Sequence, residues 1–158
     1  MIPLRGSAEI ASKLEIAAAE RLLVVDAPPE VGRLLEAAAA PDASLRMAEA
    51  RAIRSVKDSF DWILLWHESR VGSRALFEHA VRRLDPKGRL WVVTAMKKVQ
   101  GPRTPASERL EAEDLRKGFA REGLECDREA RLSAWHVAYR FTRGDGAEPT
   151  RRTGKTGQ

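Results

Sequence analysis

The sequence predicts an α/β domain of three layers, with a mostly parallel sheet between helices and an antiparallel pair of strands at its C-terminal edge. Three observations carry this. Leu22-Leu23-Val24-Val25 is an unbroken apolar run ending at Asp26, the pattern of a strand buried on both faces. Runs of that kind alternate with stretches of helical periodicity, so successive strands are joined by crossover helices and lie parallel. The last two strands follow each other across a short connection, which only antiparallel pairing permits.

Each element has its own warrant. Ser7 caps a helix over residues 8–14, in which Ile10 and Leu14 fall four apart on one face. Residues 22–25 form the first strand. Pro29 opens the next helix, where a proline gives up only an N–H that lacks a partner anyway. Val31, Leu34 and Leu35 give that helix an apolar stripe running up to the alanines at 37–40. Leu45-Arg46-Met47-Ala48 alternates and predicts a short second strand. Residues 60–66 predict a third, followed by a helix over 73–84 that carries Leu76, Ala80 and Leu84. Asp85-Pro86-Lys87-Gly88 predicts a turn, with proline stopping the helix and glycine supplying a free φ. Residues 90–95 predict the fourth strand. A loop over 97–105 is punctuated by Gly101, Pro102 and Pro105; Ser107 then caps a helix to Arg121 that Gly123 ends. Residues 124–132 and 135–143 predict the antiparallel pair, with Trp135, Val137, Tyr139 and Phe141 on one face of the last strand. One domain therefore spans 1–143. Residues 144–158 hold no large apolar group and predict a disordered basic tail.

Composition narrows the function classes. At 158 residues and 43% hydrophobic, the chain can bury one core and hardly two. A single cysteine, Cys126, excludes an internal disulfide framework and suits a reducing, cytoplasmic compartment. The opening seven residues hold no apolar region of leader length, and no run is long enough to cross a bilayer, so neither a secretory leader nor a membrane partner is expected. The net charge of +5 comes from 28 basic against 23 acidic residues, which permits a polyanionic partner without requiring one.

The order of elements, together with two segments, resembles the class I S-adenosylmethionine-dependent methyltransferases. Leu84-Asp85-Pro86-Lys87-Gly88-Arg89-Leu90 matches their L-x-P-G-G-x-L signature, and Phe60-Asp61-Trp62-Ile63-Leu64-Leu65-Trp66 is similar to the strand that precedes it. The resemblance covers residues 20–143 and implies a Rossmann-like sandwich. More narrowly, Lys13-Leu14-Glu15-Ile16 and the run from Leu22 to Pro28 resemble the KLGI…VLLLNAP opening of a family of short bacterial proteins of unknown function.

The resemblance also says where S-adenosylmethionine would sit. The family's first loop reads acid-x-Gly-x-Gly-x-Gly; here Asp26 matches the acid and Gly32 the last glycine, while Pro28 and Glu30 stand at the other two. Proline brings no N–H and fixes φ near −65°. Glu30 would put a carboxylate near the carboxylate of the cofactor's methionine part, or it simply occupies the first turn of a helix, favoured by the dipole. The family's ribose-binding acid falls at Glu49, which follows Asp26 by 23 residues, against the usual spacing of about 20. Glu49 reads equally as a solvated turn residue. Only ten residues separate Glu49 from Phe60, so the family topology is expected to be shortened between the second and fourth strands, where part of the adenine pocket arises. The candidate cofactor positions are thus Asp26, Pro28, Glu30, Gly32, Glu49 and Trp66, the last able to stack on a flat ligand or to pack in the core.

The remaining chemistry-bearing residues are sparse. His67 and Glu68 follow the third strand and read as base or binding groups, or as an exposed loop. Lys97, Lys98 and Arg103 form a basic loop suited to phosphate or to an acidic partner. His79, His136 and Cys126 show no metal-ligand spacing, so no metal site is expected. Gly154-Lys155-Thr156 has the ending of a phosphate loop, but its first glycine would fall at Pro149. No catalytic set emerges. The expectation is a methyltransferase-like protein without normal cofactor binding, acting as a binding or regulatory module for a protein or small-molecule partner. The rivals are an active S-adenosylmethionine-dependent methyltransferase with an unusual loop, and a weakly supported nucleic-acid binder; a homo-oligomer is open.

Overall fold

The computed structural model describes Leu4 and residues 6–144. The tail expectation, apart from Gly144, and the Gly154-Lys155-Thr156 motif lie outside the described residues. The helices are α1 (Ser7–Lys13), α2 (Pro29–Ala38), α3 (Ser73–Arg82) and α4 (Ala112–Ala120). The strands are β1 (Arg21–Val25), β2 (Ser44–Ala48), β3 (Phe60–Trp66), β4 (Leu84–Ala95), β5 (Glu125–Arg131) and β6 (His136–Thr142). Among the described residues no helix is long and apolar enough to cross a membrane.

The strands form one mixed sheet in the order β2-β1-β3-β4-β6-β5. β2, β1, β3 and β4 run parallel; β6 lies antiparallel to β4 and β5 antiparallel to β6. Alternation along β1 separates two apolar layers. Leu22 and Val24 join Ile10, Leu14, Val31 and Leu35 on the face covered by α1 and α2. Leu23 and Val25 join Leu76, Phe77, Leu115 and Phe119 on the face covered by α3 and α4. Phe119 is the keystone of that second layer, stacked between Phe77 at 4.3 Å and Phe141 at 4.5 Å. On the opposite face Trp62 Nε1 donates to the Leu14 carbonyl at 2.9 Å and ties the end of α1 to β3.

The expected shortening is present: a single 3-10 turn, Ala50–Ser55, carries the chain from β2 to β3. Among the described residues β2 therefore pairs on one side only and forms an edge of the sheet. Its Ser44 N–H and Ala48 carbonyl bond toward β1, so the backbone groups of Leu45 and Met47 face outward. Arg46, between them, pairs with Asp58 at 3.6 Å.

Four local expectations are corrected. Gly6 rather than Ser7 is the N-cap of α1, with no side-chain cap bond. Asp85–Gly88 does not turn out of the sheet. Leu84 pairs with Phe60 and Arg89 with Trp62, so the four residues between them form a bulge within β4. Gly88 is used for close approach and not for a positive φ: a Cβ there would lie 2.6 Å from Leu84 Cδ1 and 3.1 Å from the Asp85 oxygen. Ser107 caps no α-helix. It sits in a 3-10 turn, and α4 opens at Glu111, whose side chain and that of Asp114 form a reciprocal capping box. Trp135 precedes β6 instead of belonging to it. Gly123 does close the α4 end, at φ +84°, with Leu124 N–H returning to the Phe119 carbonyl at 3.0 Å.

Candidate functional site

The carboxyl ends of β1 and β3, the loop after β4 and the entrance to β6 converge on a cleft of 720 Å³. In an open α/β sheet this is where ligands are held, because loops of several strands meet there. Pro28, Pro29 and Glu30 form one side, Trp66, His67, Glu68 and Ser69 the base, and Gly101–Thr104 with Trp135 and His136 the other side. Two indoles and three prolines give it apolar walls, with seven polar or charged residues set among them.

One of those groups is His67. Its ring packs edge-on against Phe77, centroids 6.4 Å apart, and its Nε2 is buried without a hydrogen-bond partner among the described residues. Burial lowers its pKa below the ordinary histidine value, outweighing hydrogen bonds to Val71 and Ser69 and the charge of Asp26. The imidazole is therefore neutral at pH 7, with Nε2 enclosed by protein.

Beside it lies a buried pair that sequence reasoning missed. His136, 1% exposed, places Nε2 at 2.6 Å from Glu68 Oε2. Burial raises the Glu68 pKa, but hydrogen bonds with His136 and Thr104 outweigh it and hold the carboxyl below its ordinary value. Trp66 packs on the His136 ring at 4.8 Å. Ser133 Oγ stands 3.5 Å from His136 Nδ1, which sketches a Ser–His–acid row. That row is structural. Ser133 is 1% exposed, and its oxygen accepts from the backbone N–H groups of Trp135 and His136 at 3.0 and 2.9 Å. A nucleophile must reach its substrate, and this one closes a hairpin.

The loop after β4 is organised by Arg109, which is 4% exposed. Its Nε donates to the Thr104 carbonyl at 2.8 Å, and its Nη1 to the carbonyls of Met96, Val99 and Lys97 at 2.8, 2.7 and 3.2 Å. The loop so wrapped presses Gly101, at φ +129°, onto the Trp135 ring, where a Cβ would come within 2.3 Å of Cε2. Gly101→Ala is accordingly expected to expel the indole and deform the cleft. Tryptophan emission should shift to the red and become more accessible to acrylamide, at a stability cost of about 1–3 kcal/mol. An unchanged spectrum would contradict this packing.

No family model matches the sequence and no curated protein is found to be similar to it. Solved structures do match in fold. An S-adenosylmethionine-dependent methyltransferase from Aquifex aeolicus superposes with a TM-score of 0.69 at 9% identity, covering 87% of this chain and 89% of that one. The fold is that of the methyltransferases. The magnesium protoporphyrin IX methyltransferase of Synechocystis PCC 6803, solved with bound S-adenosylhomocysteine, gives 0.61 at 14% identity over 87% of this chain and 80% of that one. For the mitomycin 7-O-methyltransferase MmcR the score is 0.66 at 12% identity, and this chain spans only 53% of its length.

Within this methyltransferase fold the six candidate cofactor positions separate. Pro28, Glu30 and Trp66 line the large cleft. Asp26 and Glu49 line a different, shallower hollow between β1 and β2, beside Met47 and Ala52. Asp26 adopts φ +58° and is bound to the chain there: its N–H donates to the Ala48 carbonyl at 3.0 Å and its Oδ1 accepts from Ala50 N–H at 3.2 Å. Glu49 turns to Arg51, Oε1 to Nε 2.6 Å. Gly32 is buried in α2, where it lets Met47 approach to 3.0 Å of a would-be Cβ. Pro28 is the N-cap of α2 and has no N–H to offer. Among the described residues no cluster of three or more metal-ligating side chains occurs.

Proposed function

We propose that this methyltransferase-fold domain is a binding module that takes a small ligand in the Trp66–Trp135 cleft and does not hold S-adenosylmethionine between β1 and β2. The observation that carries the reading is the state of Asp26 and Glu49. Both line one hollow, but Asp26 Oδ1 is already engaged by the Ala50 amide and Glu49 Oε1 by Arg51, so each would meet a ribose with one carboxylate oxygen taken. The loop between them and the cleft supplies Pro28 where a backbone donor would serve an anionic ligand. In the cleft, the two indoles suit a flat ring.

One observation favours the rival reading of an active enzyme: a neutral histidine, His67, lines the cleft. Calorimetric titration with S-adenosylhomocysteine separates the two. No heat and no rise in melting temperature are expected up to about 1 mM. A micromolar Kd, which would add about 2.7 kcal/mol of stability at a hundredfold excess, would overturn the proposal, the more so if Glu49→Ala abolished it.

A further inference from the structure

Beyond the cleft and the hollow between β1 and β2, the basic loop borders a wide, open hollow of 590 Å³ lined by Lys97, Lys98, Gln100, Pro102 and Arg109 among others. Its lining holds three cationic side chains and no carboxylate. The Arg109 guanidinium in this wall is buried, and its known partners are all neutral carbonyls, taken up by Nε and Nη1. Its remaining amino group, Nη2, makes no hydrogen bond to any described residue, and it is not among the fully buried polar atoms that lack partners. Nη2 is thus neither sealed off nor engaged by a described residue, and Arg109 itself lines the hollow. A buried charge is costly without a counter-charge, and an anion that meets Nη2 supplies one. Glu111, the nearby acid, is engaged by Lys97 at 2.5 Å, which leaves Lys98 without an ion pair among the described residues. The loop also turns the carbonyls of Met96, Lys97 and Val99 inward onto Arg109, so that the side facing outward is not fringed by those acceptors.

We propose that this loop is an oxyanion site that takes a phosphate group, with Arg109 Nη2 as the fixed donor and Lys98 as the mobile cation. Guanidinium and ammonium groups together match the charge and the several acceptor oxygens of phosphate. The site is separate from the reading of the cleft, although Gly101 and Pro102 border both.

The test is a titration of the full-length protein with inorganic phosphate at low ionic strength, followed by phosphorus NMR line broadening. Saturable binding with a Kd on the order of 1 mM is expected. Lys98→Ala, an exposed change that leaves the fold intact, should weaken it by about fivefold or more. Arg109→Gln should abolish it, while Lys57→Ala, on the connection into β3, should leave it unchanged. Phenyl phosphate distinguishes the sources of the group. Tighter binding than inorganic phosphate identifies an ester whose organic part lies along Pro102, and equal binding identifies the free ion. Absence of saturation with either probe overturns the site, and so does an equal loss in Lys98→Ala and Lys57→Ala.

Discussion

Phe119→Ala is expected to remove about 3–5 kcal/mol of folding stability, a large part of the roughly 5–15 kcal/mol that a domain of this size possesses. Phe119 is fully buried and is the shared partner of Phe77 on α3 and Phe141 on β6. Its removal strands both rings around one void. The neighbours cannot collapse into that void, because α4 is fixed at its start by the Glu111–Asp114 box and at its end by Leu124 N–H on the Phe119 carbonyl. Urea denaturation should show a lower midpoint with an unchanged slope, since the surface exposed on unfolding stays the same. A loss below about 1 kcal/mol would mean that the aromatic column is not the brace described above.

Glu68→Ala is expected to cost about 2–3 kcal/mol and to change the acid side of the stability curve. The substitution leaves His136 buried with one ring nitrogen unpartnered. The sign of the pH effect follows from the lowered carboxyl. Glu68 binds its proton at a lower pH folded than unfolded, so its stabilisation is full above the ordinary carboxylate value of 4.5 and is lost as pH falls below that through the folded value. Asp127, held low by Arg140 and Thr142 against the effect of burial, acts in the same direction. His67 has the opposite chemistry and the same sign. The unfolded imidazole takes a proton first, as pH falls past 6.5, so folding weakens from there downward. The wild type should thus lose stability in two ranges, one setting in as pH falls below 6.5 and another below 4.5, and Glu68→Ala should flatten only the lower one. Equal pH profiles for the two proteins would remove Glu68 from that account.

Much of the sheet was legible because its signals are local. The run at 22–25 and the run at 60–66 carry enough apolar residues to be buried on both faces wherever they pair, and both are strands. Pro29 likewise fixes its own φ and opens α2 as read. The start of α4 was not legible, because Ser107 is in isolation a better cap than Glu111, the one the fold uses. What decides between them is Arg109, which must leave the helical path to reach carbonyls between 5 and 13 residues away. The Glu68–His136 pair was hidden for a like reason: its members lie 68 residues apart, and neither has a local pattern that announces the other. Of the candidate site, Pro28, Glu30, Trp66, His67 and Glu68 meet in one cleft, while Asp26 and Glu49 face another hollow. Sequence spacing put these acids at the ends of the first two strands, where they lie, but it could not show that the Ala50 amide and Arg51 would each engage one of their carboxylate oxygens.

The missing segment between β2 and β3 has a consequence for solubility. An edge whose Leu45 and Met47 amides face solvent invites strands from other molecules to add to it, the usual route to aggregation. Two copies meeting here antiparallel about the strand centre would bring Arg46 against Arg46, each with its own Asp58 beside it, so the strand would be met by polar, charged groups at its centre. The middle of the bare edge is thus occupied by an ion pair in place of an apolar side chain, and an apolar residue at position 46 would make that edge a better template for a second strand.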